Sequence, residues 1–452
     1  MTENKLVFVG IIISSKSLSE LSVHNGYIAV DYGKITKLGT ESEYEQLKKE
    51  GVFDSYKVVK MSSDLFLMPG FVDCHTHAAQ FPNIGLGLDL PLLEWLNKYT
   101  FPLENQYGDI KYAASIYNKV VRSLLINGTT TASYFASIHL GGTLQLAQSV
   151  INNHQRAFVG KVSMNIENDA GYYNETKKDL EETENFIKAV LDYKNDLVQP
   201  IISPRFAVSC DSALMAGLSE LSDKYECRIQ SHISENVDEI KHVLNTFPCC
   251  KHYTDVYDQC RILNQRCIMA HAVHLSMEET ATLANRGVSI AHCPASNTRL
   301  MSGLCPVRKY LESGVVVGLG TDVAGGDNAT ILDAMRRTMD VSAHLELMGQ
   351  SGSALSWSEV FYLATLGGAK ALKLDHKIGS FEVGKEFDAL LINVYETNGP
   401  IVKFGPTYNT PQERALHLLQ KFIYVGDDRN IAHVYVKGHK VKDVLEDISL
   451  LN

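Results

Sequence analysis

Apolar and polar positions follow two rhythms along the chain. Near the start, short apolar or alternating runs at Leu6–Ser14, Gly26–Val30 and Lys34–Leu38 are separated by turn residues, which is the pattern of strands. The tail has the same character at Asp388–Asn393, Phe422–Val425 and His433–Gly438, so residues 6–66 and the tail both read as β. Between these ends, apolar runs alternate with helical patterns. The runs are Phe66–Val72, Thr129–Phe135, Ala157–Met164, Val198–Ile202, Arg228–His232, Cys267–His271, Val288–His292 and Val315–Gly320. The helical patterns are Tyr112–Ile126, Lys177–Leu191, Ala213–Tyr225, Met277–Ala284, Thr330–Leu347 and Ser358–Leu372. Asn127-Gly128 after the first of these is a good helix stop. About eight strand–helix units match the (β/α)8 count, and strands this apolar suit a parallel sheet covered by helices. The expected fold is α/β, a (β/α)8 TIM-type barrel over 67–379. A small β-sandwich domain built from both chain ends, 1–66 and 380–452, is expected beside it.

Barrel chemistry sits where strands end, and these strand ends are unusually polar. The first apolar run leads into His75-Thr76-His77. In an extended strand, residues two apart share a side, so both imidazoles project together. The fourth run is followed by Arg205-Phe206, the fifth reaches His232 with Glu235 three residues on, and the sixth reaches His271. The seventh ends at His292 and the eighth is followed by Asp322. His75, His77, His232 and Asp322 make an N3O donor set suited to a borderline divalent cation, zinc or iron. Glu235 beside such a site can serve as a general acid and base. His271 can hydrogen-bond water or a developing oxyanion. Arg205 offers a fork of donors for a carbonyl or carboxylate, and Phe206 can stack on a planar ring. His292, before Cys-Pro, reads as structural. Trp95 and Phe101 are lid candidates by position, with core packing the simpler reading.

Composition narrows the partners. The chain has 452 residues, 45% of them hydrophobic and 21% charged, which is the profile of an ordinary soluble globular protein. A formal net charge of −10 argues against nucleic acid or an anionic membrane as partner. The N-terminus shows no signal-peptide pattern, and Leu6–Ile13 is too short to span a bilayer. Nine scattered cysteines without a C-x-x-C pair read as reduced thiols, and the expected location is cytoplasmic.

Four segments together resemble the amidohydrolase superfamily and its mononuclear zinc deaminase branch. They are Pro69-Gly-Phe-Val-Asp-Cys-His-Thr-His, Ser231-His-Ile-Ser-Glu, Ala291-His-Cys-Pro-Ala-Ser-Asn and Gly320-Thr-Asp. Further segments outside the metal motifs are similar to the members of that branch that deaminate guanine. These are Asp89-Leu-Pro-Leu-Leu-Glu-Trp-Leu, Pro204-Arg-Phe, Gly320-Thr-Asp-Val-Ala-Gly-Gly and Val425-Gly-Asp-Asp-Arg-Asn-Ile. The resemblance implies one Zn2+ per subunit on His75, His77, His232 and Asp322, with Glu235 as proton shuttle. It implies that Gln80, Arg205 and Phe206 contact a purine, with His271 near substrate and water. The activity implied is hydrolytic conversion of guanine to xanthine and ammonia by a homodimer.

Three alternatives stand beside this reading. A binuclear relative would carry a carboxylated lysine near the end of the fourth strand, where Ile202-Ser-Pro-Arg-Phe-Ala-Val has none; Lys161 lies earlier. A sibling aminohydrolase would act on a pyrimidine, an adenosine-like compound or a triazine. A non-catalytic scaffold relative would be expected to have lost ligands.

Overall fold

The computed structural model describes residues 5–405 and 407–443. Eight parallel strands form the central sheet in chain order: Phe71–His77, Thr129–Phe135, Arg156–Gly160, Val198–Pro204, Arg228–Ile233, Cys267–His271, Ser289–His292 and Val316–Leu319. The first and last edges meet just beyond the eighth strand. There the Asp322 N–H donates to the His75 carbonyl at 2.9 Å, and the His77 N–H to that of Val323 at 3.1 Å. The sheet is therefore almost closed, as the expected barrel requires. Five of the strands are buried at every position, as a layer covered by helices demands.

The covering helices have local causes. Asp109 caps Ile110–Ile126 by accepting from the N–H groups of Lys111 and Tyr112. Ser276 and Glu279 form a capping box on Met277–Arg286, which ends on left-handed Gly287. The sequence rhythm did not single out the helix Leu140–Asn152, which completes the second strand–helix unit.

The second sheet has eight strands and takes them from both chain ends. Leu65–Pro69 of the head pairs antiparallel with Ala389–Asn393 of the tail. In that sheet Ile431–Val436 lies three strands from Lys5–Ser15, a separation of about 14 Å if the sheet were flat. The rings of Tyr435 and Phe8 are nevertheless 5.3 Å apart, so the sheet curls over onto its own apolar face. That is the sandwich-like packing expected of the chain ends.

Three local readings are corrected. Phe66–Val72 is not one barrel strand: the chain breaks at Gly70, with Leu65–Pro69 in the terminal sheet and Phe71–His77 in the barrel. Gly70 is needed there because a Cβ would lie 2.1 Å from Thr130 Oγ1. Phe422–Val425 is the last turn of a helix, Pro411–Val425, capped by Thr410; its β-branched and aromatic residues are there because Phe422 and Ile423 pack into the core. Glu41–Lys49, inside the head that reads as β, is a helix with a Thr40–Glu43 capping box.

A buried ion cluster joins the two parts. Arg156, at the start of the third barrel strand, donates to Glu386 at 2.6 Å and to Asp388 at 3.0 and 3.1 Å. Replacing only the cation leaves two buried carboxylates without a counterion. Arg156→Met is expected to destabilise the protein by about 3–5 kcal/mol, read as a lowered urea midpoint. A loss below about 1 kcal/mol would show that the cluster is not needed to join the two parts.

Candidate metal and acid–base site

The C-terminal ends of the strands bring the sequence-selected residues together. His77, Gln80, Arg205, Phe206, His232, Glu235, His271 and Asp322 line one small cavity, with Leu92, Trp95, Leu96 and Leu300 as its apolar wall. His75 lies directly behind, with its Nε2 3.2 Å from Asp322 Oδ1. His292 is fully buried but does not line the cavity. Of the two lid candidates, Trp95 is 2% exposed and forms part of the wall, while Phe101 packs in the apolar cluster beside it. Lys161 is taken up elsewhere, in a buried ion pair with Asp179 at 3.1 Å.

Four donor atoms converge in one buried cluster. The ligating atoms of His75, His77, His232 and Asp322 all lie within 4.8 Å of one another. His232 Nδ1 is 2.6 Å from the Arg205 carbonyl, so it carries that ring's proton and leaves Nε2 bare. Bare His232 Nε2 faces His77 Nε2 at 3.0 Å. His77 Nδ1 is buried without a hydrogen-bond partner, and His75 Nε2 has the Asp322 carboxylate 3.2 Å away. Burial holds the pKa of all three imidazoles below 6.5, so they are neutral bases. Burial alone would raise the pKa of Asp322, but the neighbouring imidazoles, His75 first, hold it below the usual carboxylate range. Three lone pairs and one anion in a water-poor pocket fit a divalent cation.

Beside this set stands a carboxyl group poised near neutrality. Burial raises the pKa of Glu235 from 4.5 to about 7, against the opposing pull of His271. Its Oε1 accepts from Ser302 at 3.2 Å, and its Oε2 lies 3.5 Å from His271 Nε2. The backbone is fixed from below, where Glu239 Oε2 accepts from the N–H groups of Glu235 and Asn236. Burial opposes charge on His271, but Glu235 and Asp322 outweigh it and raise its pKa. Its Nδ1 is held 2.8 Å from Asn297 Oδ1. Ser234, His271 and Asp322 all have left-handed backbones, with φ of 48°, 72° and 46°. Such strain concentrates where side chains are aimed rather than packed.

Sequence reading missed several supporting residues. Asp73 shares the period-two face of His75 and His77, so the same rule could have found it. Asn297 lies within the quoted Ala291–Asn297 segment but received no role. Ser302, Leu300 and Glu104 carry no local signal: each reaches the site through the fold.

A cation-sized cluster of imidazoles and a carboxylate at a barrel mouth, with a buried carboxyl beside it, defines a barrel hydrolase. The chain belongs to the amidohydrolase family, whose model matches residues 66–441. It is 48% identical to the guanine deaminase of Pongo abelii over 413 residues, which is 91% of this chain and 90% of that one. The structure of guanine deaminase from C. acetobutylicum with bound guanine in the active site is similar, with a TM-score of 0.85 and 35% identity. That likeness covers 97% of this chain and 100% of the other. An adenosine deaminase from Xanthomonas campestris with bound zinc has a TM-score of 0.81 at 22% identity, over 96% of this chain and 92% of that one, a likeness of fold alone.

The raised Glu235 pKa has a signed consequence for the metal-free protein. As pH rises, the unfolded chain releases this proton near 4.5 and the folded chain only near 7. The group's contribution is therefore most favourable below 4.5 and is lost as pH climbs to about 7. A shift of this size corresponds to roughly 3 kcal/mol. Metal-free Glu235→Gln is expected to gain stability over the parent between pH 5 and 7, with a constant difference above. Parallel denaturation curves whose gap does not change with pH would contradict it.

Proposed function

We propose that this protein is a guanine deaminase, hydrolysing guanine to xanthine and ammonia. The observation that carries this is the extent of the sequence likeness, close to half of all positions over nine-tenths of both chains. The composition of the cavity supports it. Arg205 and Gln80 supply donors for the carbonyl edge of a purine, and Phe206 offers a ring face. His75, His77, His232 and Asp322 would hold one zinc ion. A bound zinc ion makes water a competent nucleophile near neutral pH.

Glu235 takes a proton from that water as its oxygen adds to C2, and gives the proton to ring N3. Electron density from the C2=N3 bond is thereby accommodated at N3. Glu235 then moves the remaining hydroxyl proton to the amino nitrogen. The C2–N bond breaks, ammonia leaves and the C2 carbonyl of xanthine forms. A pKa of about 7 suits a group that must both accept and donate in one cycle. His271, held by Asn297, orients the water, and Asp322 faces the same proton. The apolar wall of Leu92, Trp95 and Leu300 keeps bulk water from competing.

Among the described residues no helix is long and apolar enough to cross a membrane, and all nine cysteines are free. These features support our reading of a cytoplasmic enzyme, and we infer a homodimer from the resemblance alone.

The test is ammonia and xanthine release from guanine by zinc-loaded protein, with Glu235→Gln alongside. The parent is expected to turn over guanine. The variant is expected to lose at least about 1000-fold in kcat while binding one zinc per chain. Turnover of aminated pyrimidines, adenosine or triazines with guanine inert would move the assignment to a sibling activity. Full activity in Glu235→Gln would remove the shuttle role.

A further inference from the structure

Glu104 is a fully buried acid that does not line the cavity, yet it bonds two side chains that do. Arg205 Nη1 donates to its Oε2 at 2.7 Å and Nη2 to its Oε1 at 3.1 Å. Gln80 Nε2 donates to the same Oε1 at 2.9 Å. The other end of the Gln80 amide accepts from the Ala324 N–H at 3.0 Å. Reversing that amide would set an oxygen against a carboxylate and an NH2 against an N–H, so its orientation is fixed. The Arg205 guanidinium is covered by the Phe101 ring at 5.0 Å, which leaves it no room to turn away.

A buried carboxylate is costly unless it is paired, and pairing alone would need only Arg205. The second partner, Gln80, shows what the acid does beyond neutralising charge. We propose that Glu104 is a positioning residue that sets the hydrogen-bond polarity of the cavity wall. By drawing one N–H from Gln80 and two from Arg205, it leaves both side chains presenting their remaining N–H groups to the cavity. That wall takes a ring carrying a carbonyl and rejects the same ring carrying an amine. An amine placed there sets donor against donor, and two buried groups go unpaired. The proposal rests on the guanine reading only in the choice of probe rings.

The experiment measures binding of hypoxanthine and adenine to zinc-loaded parent and Glu104→Gln by calorimetry, with guanine turnover and zinc content followed in the same samples. The two probe rings differ in carbonyl against amine at one carbon. The parent is expected to prefer hypoxanthine by about 100-fold or more. In Glu104→Gln the carboxylate that draws on Gln80 and both ends of the Arg205 fork is lost, only the Ala324 N–H still orients the Gln80 amide, and the preference is expected to fall at least about tenfold while zinc content is unchanged. A merely structural role would weaken both rings in proportion and leave the ratio intact, which would overturn the proposal. So would a parent with no preference. If the parent is inert toward guanine but its preference exists and collapses in the variant, wall polarity stands and the substrate assignment falls. If Glu104→Gln does not fold, Glu104→Asp withdraws the carboxylate by one methylene at constant charge. The same loss of ratio is expected there, and an unchanged ratio overturns the proposal.

Discussion

Everything at the barrel mouth depends on a clasp at Asp73. Its carboxylate accepts from the His75 N–H at 3.1 Å, the Thr321 N–H at 3.1 Å and the Thr321 hydroxyl at 2.6 Å. One side chain thus ties the first barrel strand to the segment that follows the last. That is the seam of the barrel, and Asp322 is the next residue after the clasped threonine. With His75 and His77 on one side of the seam and Asp322 on the other, a slip of one residue would turn side chains to the opposite face. Burial pushes the Asp73 pKa up to about 7 despite these three donors, so the clasp is held at an energetic cost.

From that seam the rest of the site follows by short links. The Asp322 N–H on the His75 carbonyl sets the carboxylate against the imidazole. The His232 proton, committed to the Arg205 carbonyl, turns a bare nitrogen toward His77. The same Arg205 whose backbone fixes a ligand imidazole sends its side chain to Glu104. Cation set and donor wall are therefore two ends of one residue's contacts. Disturbing the backbone at Arg205 would disturb both.

Period and alternation made the barrel readable before its coordinates. Strands at Thr129–Phe135 and Cys267–His271 begin and end where the runs read from the sequence do, because burial on both faces excludes charged side chains. Residues at those ends were legible for the same reason: a polar group directly after a buried strand has few structural uses. Periodicity failed where tertiary packing overrode local preference. Phe422-Ile-Tyr-Val has strand-forming residues, but Thr410 starts a helix that runs through it and buries two of the four. Helix Glu41–Lys49 carries one buried residue, Tyr44, and so had almost no apolar rhythm to find. Glu104 was illegible for a different reason. It sits in a one-turn helix, Phe101–Glu104, and its partners are 24 and 101 residues away. Nothing local distinguishes it from a solvated glutamate.

The balance of charge in the pocket explains why these parts must come together. Without a cation, three neutral imidazoles and an ionised Asp322 crowd into a space from which water is largely excluded. The Nε2 atoms of His77 and His232 lie 3.0 Å apart, and left-handed backbone at His271 and Asp322 adds strain. Each feature opposes folding, and a bound divalent ion relieves the electrostatic part of it. The donor wall is the converse case. Glu104 satisfies Arg205 and Gln80 inside the folded protein, so that side needs nothing bound to be stable. The cavity therefore has one half that is complete in itself and one half that is completed by an ion. Selection of the ring can reside in the first half and activation of water in the second. The two are joined through the backbone of Arg205, the loop from Thr321 to Ala324 and the turn that carries Gln80 three residues after His77.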